Sequence, residues 1–113
     1  LGCHANLLTE LDVSNNTALT VLSFGENQIT SIDVSNLTAL TKFWCYSNAL
    51  TCVNLKNGNN TNITSFDAID NPDLDCIEVD DPAWSEANWT YPNLNIDAGV
   101  TFSVSCSYPA GCF

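Results

Sequence analysis

The chain is almost without positive charge. Lysine and arginine together number 2 among 113 residues, against 13 aspartates and glutamates, for a formal charge of −11. So anionic a chain repels phosphate backbones and acidic lipid headgroups, which argues against nucleic acid and anionic membrane as partners. No apolar run approaches the roughly 20 residues of a membrane-spanning helix, so membrane insertion is not expected. A single histidine, His4, and the lack of any C-x-x-C pair leave little support for a zinc site. There is no arginine, and no G-x-S-x-G elbow, phosphate loop or H-E-x-x-H motif. A carboxylate pair for glycoside hydrolysis would need a pocket that raises one pKa, which an open repeat face does not offer. The chain therefore reads as non-enzymatic and without a cofactor. No basic signal peptide opens it, so it is expected to be mature or a fragment.

What is present is a single domain's length with 45% hydrophobic residues, which excludes disorder by composition. Six cysteines (Cys3, Cys45, Cys52, Cys76, Cys106, Cys112) are many for that length and point to an oxidising, extracytoplasmic compartment.

The chain also repeats itself. "LTELDVSNNTALTVLSFGENQ" starts at Leu8, "ITSIDVSNLTALTKFWCYSNA" at Ile29 and "LTCVNLKNGNNTNITSFDAIDNPD" at Leu50, and "LDCIEVD" opens a fourth unit at Leu74. The starts lie 21, 21 and 24 residues apart, with the three extra residues expected in "KNGNNTN". The opening "LGCHANL" aligns with "LSFGENQ", so the first unit is partial and a longer solenoid is expected. Within a unit, Leu19-x-x-Leu22-x-Phe24-x-x-Asn27-x-Ile29 recurs as Leu40-x-x-Phe43-x-Cys45-x-x-Asn48-x-Leu50, the pattern of a leucine-rich repeat. Apolar residues at a period of two make a short strand with one face inward, and the next coil lays the same strand about 4.8 Å away. Asn6, Asn27, Asn48 and Asn71 then stack in a column, their amides satisfying backbone groups where the chain leaves the strand. The "LDVS" and "IDVS" halves alternate too and predict a second extended segment per coil. The core is expected from Leu8, Leu11, Val13, Leu19, Leu22, Phe24 and their equivalents. In "KFWCY" the inward register falls on Phe43 and Cys45, so Trp44 and Tyr46 face out.

These repeats resemble the leucine-rich repeats of secreted or cell-surface proteins of the Bacteroidetes, flavobacteria in particular. "LKNGNNTNITSFDAIDNPDLDCIEVDDPAWSEANW" with "IDAGVTFSVSC" is similar to the segment that closes such arrays. The resemblance implies a secreted or outer-cell-surface protein exported by the type IX route, and it implies no activity. The fold class is therefore mostly β: a leucine-rich-repeat solenoid of about 21-residue coils, with short strands on both faces, little helix and a C-terminal cap. Residues 1–79 are assigned to the coils and 80–113 to the cap.

Within the closing segment Cys76 and Cys106 are the favoured disulfide, tying the last repeat strand to the terminal segment for roughly 2–4 kcal/mol. Cys52 with Cys76 is the competing pair, and Cys112 is then left for Cys106 or Cys52. Cys3 and Cys45 occupy inward positions and read as free buried thiols. In "DPAWSEANW", Asp81 is placed as an N-cap and Pro82 at the first helical position, with Trp84 and Trp89 covering the end of the core. "AGVTFSVSC" reads as a final strand.

The candidate binding surface is the concave row of outward strand residues, with Lys42, Trp44 and Tyr46 at its centre and Ser23, Glu26 and Asp67 around them. Flanking Asp, Ser and Asn groups suit sugar hydroxyls while an indole stacks on a pyranose ring. The plainer reading is that Trp44 packs on another part of a parent polypeptide or on a neighbouring subunit. The acidic run from Asp67 to Asp81 has neither the spacing of an EF-hand nor a common face, and reads as a solvated edge and not as a calcium site. Five N-x-S/T sequons arise partly from the repeat itself and are expected to carry no glycan. The threonine columns lack the flat regular array of an ice-binding face, because Asp12 and Asp33 interrupt their flanks. Two functions follow. One is a surface binding or adhesion module for protein or glycan. The other is a structural accessory of a larger exported or outer-membrane-associated assembly, with no ligand of its own.

Overall fold

A computed structural model of the chain describes residues 1–108 and 112. The period-two apolar pattern of each repeat forms strands of three residues: β1 (Val21–Ser23), β2 (Ser31–Asp33), β3 (Lys42–Trp44), β4 (Cys52–Asn54), β5 (Ser65–Asp67), β6 (Cys76–Glu78) and β7 (Thr101–Ser103). They build two parallel sheets, β1-β3-β5 and β2-β4-β6-β7. The chain alternates between them from β1 to β6, each pass adding one strand to each sheet, and β7 then joins β6 in the second sheet. Leu22, Phe43 and Phe66 stand in register in the first sheet, and Ile32, Val53, Ile77 and Phe102 in the second. Phe43 follows Leu22 by 21 residues and Phe66 follows Phe43 by 23. Two of the three extra residues therefore fall in the "KNGNNTN" region, where a 3-10 turn forms over Asn60–Asn62. Ile77 follows Val53 by 24, which puts the third between β5 and β6 and not in that loop.

The core lies between the sheets. Leu22, Phe24, Ile29, Ile32, Val34, Leu40, Phe43, Cys45, Leu50, Val53 and Leu55 are fully buried, each large side chain contributing on the order of 1.5–3 kcal/mol. Leu8, Leu11 and Leu19 are only partly buried because the first pass has a neighbour on one side. Cys3 shares that position: it is half-exposed, whereas Cys45 is enclosed, so only one of the two free thiols is a core residue. An aromatic column runs through the stack, with Phe24 5.9 Å from Phe43 and Phe43 5.9 Å from Phe66. Trp89 closes it, stacked 4.4 Å from Phe66.

The asparagine column couples the passes. Asn48 Oδ1 accepts the Ile29 N–H of the preceding pass, and its Nδ2 donates to Phe24 O, Cys45 O and Tyr46 O. Asn27 and Asn71 repeat the arrangement. The residue before each column member, Ala5, Glu26, Ser47 and Asp70, sits at φ between 53° and 60°. For non-glycine residues that left-handed turn costs about 1–2 kcal/mol, which the buried amide bonds of Asn27, Asn48 and Asn71 offset at Glu26, Ser47 and Asp70.

At the far end Asp97 takes over. Its two carboxylate oxygens accept the N–H groups of Asp70 and Asn71. In the interior the equivalent Glu26 and Asn27 N–H groups bond to the carbonyls of Tyr46 and Ser47. The Asp97 carboxylate thus replaces the carbonyls of a further pass. Helix α1 (Pro82–Asn88) begins at Asp81, whose side chain accepts from the Ala83 and Trp84 N–H groups.

Two disulfides hold the C-terminal segment on the outer side of the second sheet: Cys76–Cys106 and Cys52–Cys112. The alternative pairing of Cys52 with Cys76 does not occur. These residues lie on adjacent parallel strands and leave the sheet side by side, and each meets a cysteine of the returning segment instead. The Tyr108 hydroxyl donates to Val53 O and accepts from the Val53 and Glu78 N–H groups. Lys56 donates to Val104 O at 2.9 Å and lies 3.6 Å from Glu78. No helix among the described residues is long and apolar enough to cross a membrane.

Candidate functional site on the outer face of the first sheet

Strand alternation that sends Leu22, Phe43 and Phe66 inward leaves three outward rows. Val21, Lys42 and Ser65 form one, and Ser23, Trp44 and Asp67 the next, as the strand register requires. Gly25, Tyr46 and Ile69 follow in the third by the same two-residue step. Trp44 is half-buried, between two fully buried neighbours, Phe43 and Cys45. Its indole Nε1 donates to Ser65 Oγ at 2.8 Å, and the Lys42 ammonium stands 6.0 Å from the indole ring centre, at the outer limit of a cation–π contact. Tyr46 lies across Gly25, where a methyl group would overlap the phenol ring. Gly25 therefore serves space and not backbone freedom.

The remaining candidates are placed less favourably. Ser23 is only 8% exposed, enclosed in register between Gly2 and Trp44, and has little surface to offer a partner. Glu26 is exposed on the left-handed turn beyond β1. Asp67 stands beside Trp44 and accepts the Ile69 N–H. Partial burial pushes its carboxyl above the usual range; the Ile69 bond opposes this, and Asp70 and Asp97 add to the rise. Burial likewise drives the Cys45 thiol far up, with Asp67 contributing, so this cysteine is an inert filler.

Several of the acidic side chains are occupied with backbone. Asp12 and Asp33 accept the N–H groups of Ser14 and Ser35, and the Ser14 bonds, side chain first, hold the Asp12 carboxyl low. Asp80 receives Gly58 and Asn60 N–H, and Glu78 receives Cys106 N–H. Among the described residues no group of three His, Cys, Asp or Glu side chains is arranged to hold a metal ion.

Next to the face, a cleft of about 450 Å³ separates the segment entering β5 from α1. Ser65 lines it as well as holding the indole of Trp44. Sequence reading missed this cleft, the Ser65 contact and the Gly25–Tyr46 fit. Only the last had a signal: aligning the repeats places a glycine beside a tyrosine in one outward row. No protein-family model, curated protein or solved structure matches this chain.

Proposed function

We propose that the chain is a non-enzymatic binding or adhesion module. It would recognise a protein or glycan on a cell surface through the outer face of the first sheet, with Trp44 and Tyr46 as anchors and Lys42 and Asp67 beside them. The observation that carries this reading is the fixing of two large aromatics on a solvent-facing sheet. Trp44 is held by Ser65 and Tyr46 by the space Gly25 leaves, yet both remain half-exposed. Rigid aromatic surface pays little ordering entropy on binding, which is why Trp and Tyr dominate interface anchors. Parallel strands 21 residues apart and the asparagine column support a leucine-rich-repeat solenoid of the Bacteroidetes surface type. The two disulfides support an oxidising, extracellular location.

One observation favours the structural-accessory reading. At the first pass Leu7 is 81% and Leu1 51% exposed, beside the half-buried Leu8, Leu11 and Leu19. An apolar end of this kind suits packing within a larger assembly. Binding of the purified chain to immobilised glycans and surface proteins separates the two. The binding reading expects a signal that Trp44→Ala abolishes while thermal unfolding is unchanged. Binding that survives Trp44→Ala refutes it, and silence combined with co-purification in a large complex favours the accessory role.

A further inference from the structure

We infer that the cleft between the segment entering β5 and α1 holds a neutral sugar residue, so that the ligand of the Trp44 face is an uncharged glycan. This rests on the reading of that face as a binding surface and goes beyond it by naming the ligand class.

The cleft, at about 450 Å³, falls within the range of small-molecule sites. It has Thr61, Thr64 and Ser65 from one segment and Trp84, Asn88 and Trp89 from the other. No ionisable side chain lines it. The chain carries a charge of −11, yet this site has neither carboxylate nor cation in its lining. It offers no counter-charge to an anion, which the whole molecule would in any case repel, and no carboxylate to a cation.

Its free groups are those a polyol uses. Among the described residues, Thr61 Oγ1 and Asn88 Oδ1 have no hydrogen-bond partner, since the Asn88 amide nitrogen is the atom that donates to Trp84 O. Ser65 Oγ accepts from the Trp44 indole and keeps its own proton to donate. Trp84 is half-exposed and packs edge-on against the buried Trp89, 5.2 Å away. It therefore supplies a positioned aromatic surface for the C–H side of a pyranose. Hydroxyls, an amide oxygen and an indole around an uncharged hollow match a hexose better than they match an ion or a peptide.

Ser65 joins the two places. The residue that lines the cleft is also the one whose hydroxyl holds Trp44, which sets the indole beside the cleft. The geometry points to an oligosaccharide with one ring in the cleft and another over Trp44, and not to a lone monosaccharide.

The test is calorimetric titration of the full chain with three neutral hexasaccharides (cellohexaose, laminarihexaose and mannohexaose), and with a polygalacturonate hexamer as the anionic counterpart. At least one neutral hexamer is expected to bind, and the uronate to bind at least about tenfold more weakly or not at all. Thr61 is exposed on its 3-10 turn and its side chain makes no bond, so Thr61→Arg fills the cleft without disturbing the fold. It should weaken the neutral hexamer at least about tenfold, while Thr61→Ser, which keeps the hydroxyl, should bind within about twofold of the native chain. Binding that ignores Thr61→Arg but is lost on Trp44→Ala overturns the cleft assignment and leaves the sheet-face reading standing. Preference for the uronate, or no response to any neutral hexamer, overturns the sugar assignment; whether the face binds a protein is then decided by the Trp44→Ala comparison on its own.

Discussion

Replacing Asn48 by alanine removes one member of the column that ties successive passes together, and the structure allows the cost to be counted bond by bond. Asn48 is 8% exposed and makes four hydrogen bonds. Three of its partners survive its loss. Phe24 O keeps the Asn27 amide, Cys45 O keeps the Asn71 amide, and Tyr46 O keeps the Glu26 N–H. The Ile29 N–H has no other partner among the described residues and lies in the core. A buried orphaned donor costs about 1–3 kcal/mol, and the three weakened carbonyls bring the total to about 2–4 kcal/mol. For a domain of this size that lowers Tm by roughly 8–16 °C.

Two further variants sharpen the argument. Asn6 occupies the outermost place in the same column; it is exposed and its amide bonds only to Cys3 O and His4 O within its own turn. Asn6→Ala should cost no more than about 0.5 kcal/mol. Asn48→Asp keeps an oxygen for the Ile29 N–H but turns a second oxygen toward three carbonyls. The buried carboxylate is then favoured only when protonated, so its folded-state pKa rises above the unfolded value of about 3.9. Its penalty is complete above the folded-state pKa, fades between the two values and is absent below the unfolded one. Urea unfolding at pH 7 and pH 4 should therefore show Asp below Ala at neutrality and the gap closing in acid. Equal losses for Asn6→Ala and Asn48→Ala would place the energy in the local turn and refute the coupling between passes.

The Ser85 hydroxyl is buried with no partner among the described residues, so Ser85→Ala should stabilise the fold by about 1 kcal/mol; a lower urea midpoint would show that the hydroxyl is bonded. Because burial raises the Asp67 pKa in the folded state, ionisation opposes folding. Its cost is absent below the ordinary aspartate pKa of about 3.9 and present above the folded value. Asp67→Asn, which keeps Oδ1 for Ile69, should raise Tm at pH 7 and lose that gain near pH 3; the same gain at both pH values would contradict the burial argument.

Much of the fold was legible because two periods can be read at once. A step of two assigns Phe43 inward and Trp44 outward, and a step of 21 lays them against Leu22 and Ser23. Other features lacked any local signal. Cys52 meets Cys112 across a sequence separation of 60, and the Asp97 carboxylate stands in for backbone carbonyls at the end of the stack. Tyr108 reaches Val53 from 55 residues away. Such contacts depend on how the terminal segment returns over the second sheet, which no short-range pattern states. Asp12 and Asp33 were legible only as outward charges, yet Asn54 does the same work in the next pass, accepting the Lys56 N–H. What recurs there is the acceptor oxygen and not the charge.

The parts that serve the fold repeat from pass to pass, and the proposed binding face does not. Wherever the backbone makes a demand, the passes repeat its answer: an apolar side chain between the sheets, an amide in the column, an oxygen acceptor on the last residue of β2 and β4. On the outer face of the first sheet nothing repeats, since Val21, Lys42 and Ser65 share one row and Ser23, Trp44 and Asp67 another. Gly25 gives up its side chain so that Tyr46 of the next pass can lie flat, an adjustment between two passes that contributes nothing to the core. Trp44 likewise takes its partner from the following pass and not from its own. A face required only to meet water would not need its aromatics held in one orientation by residues 21 positions away. Such fixing across passes is what the proposed binding face requires, and Trp44→Ala tests it.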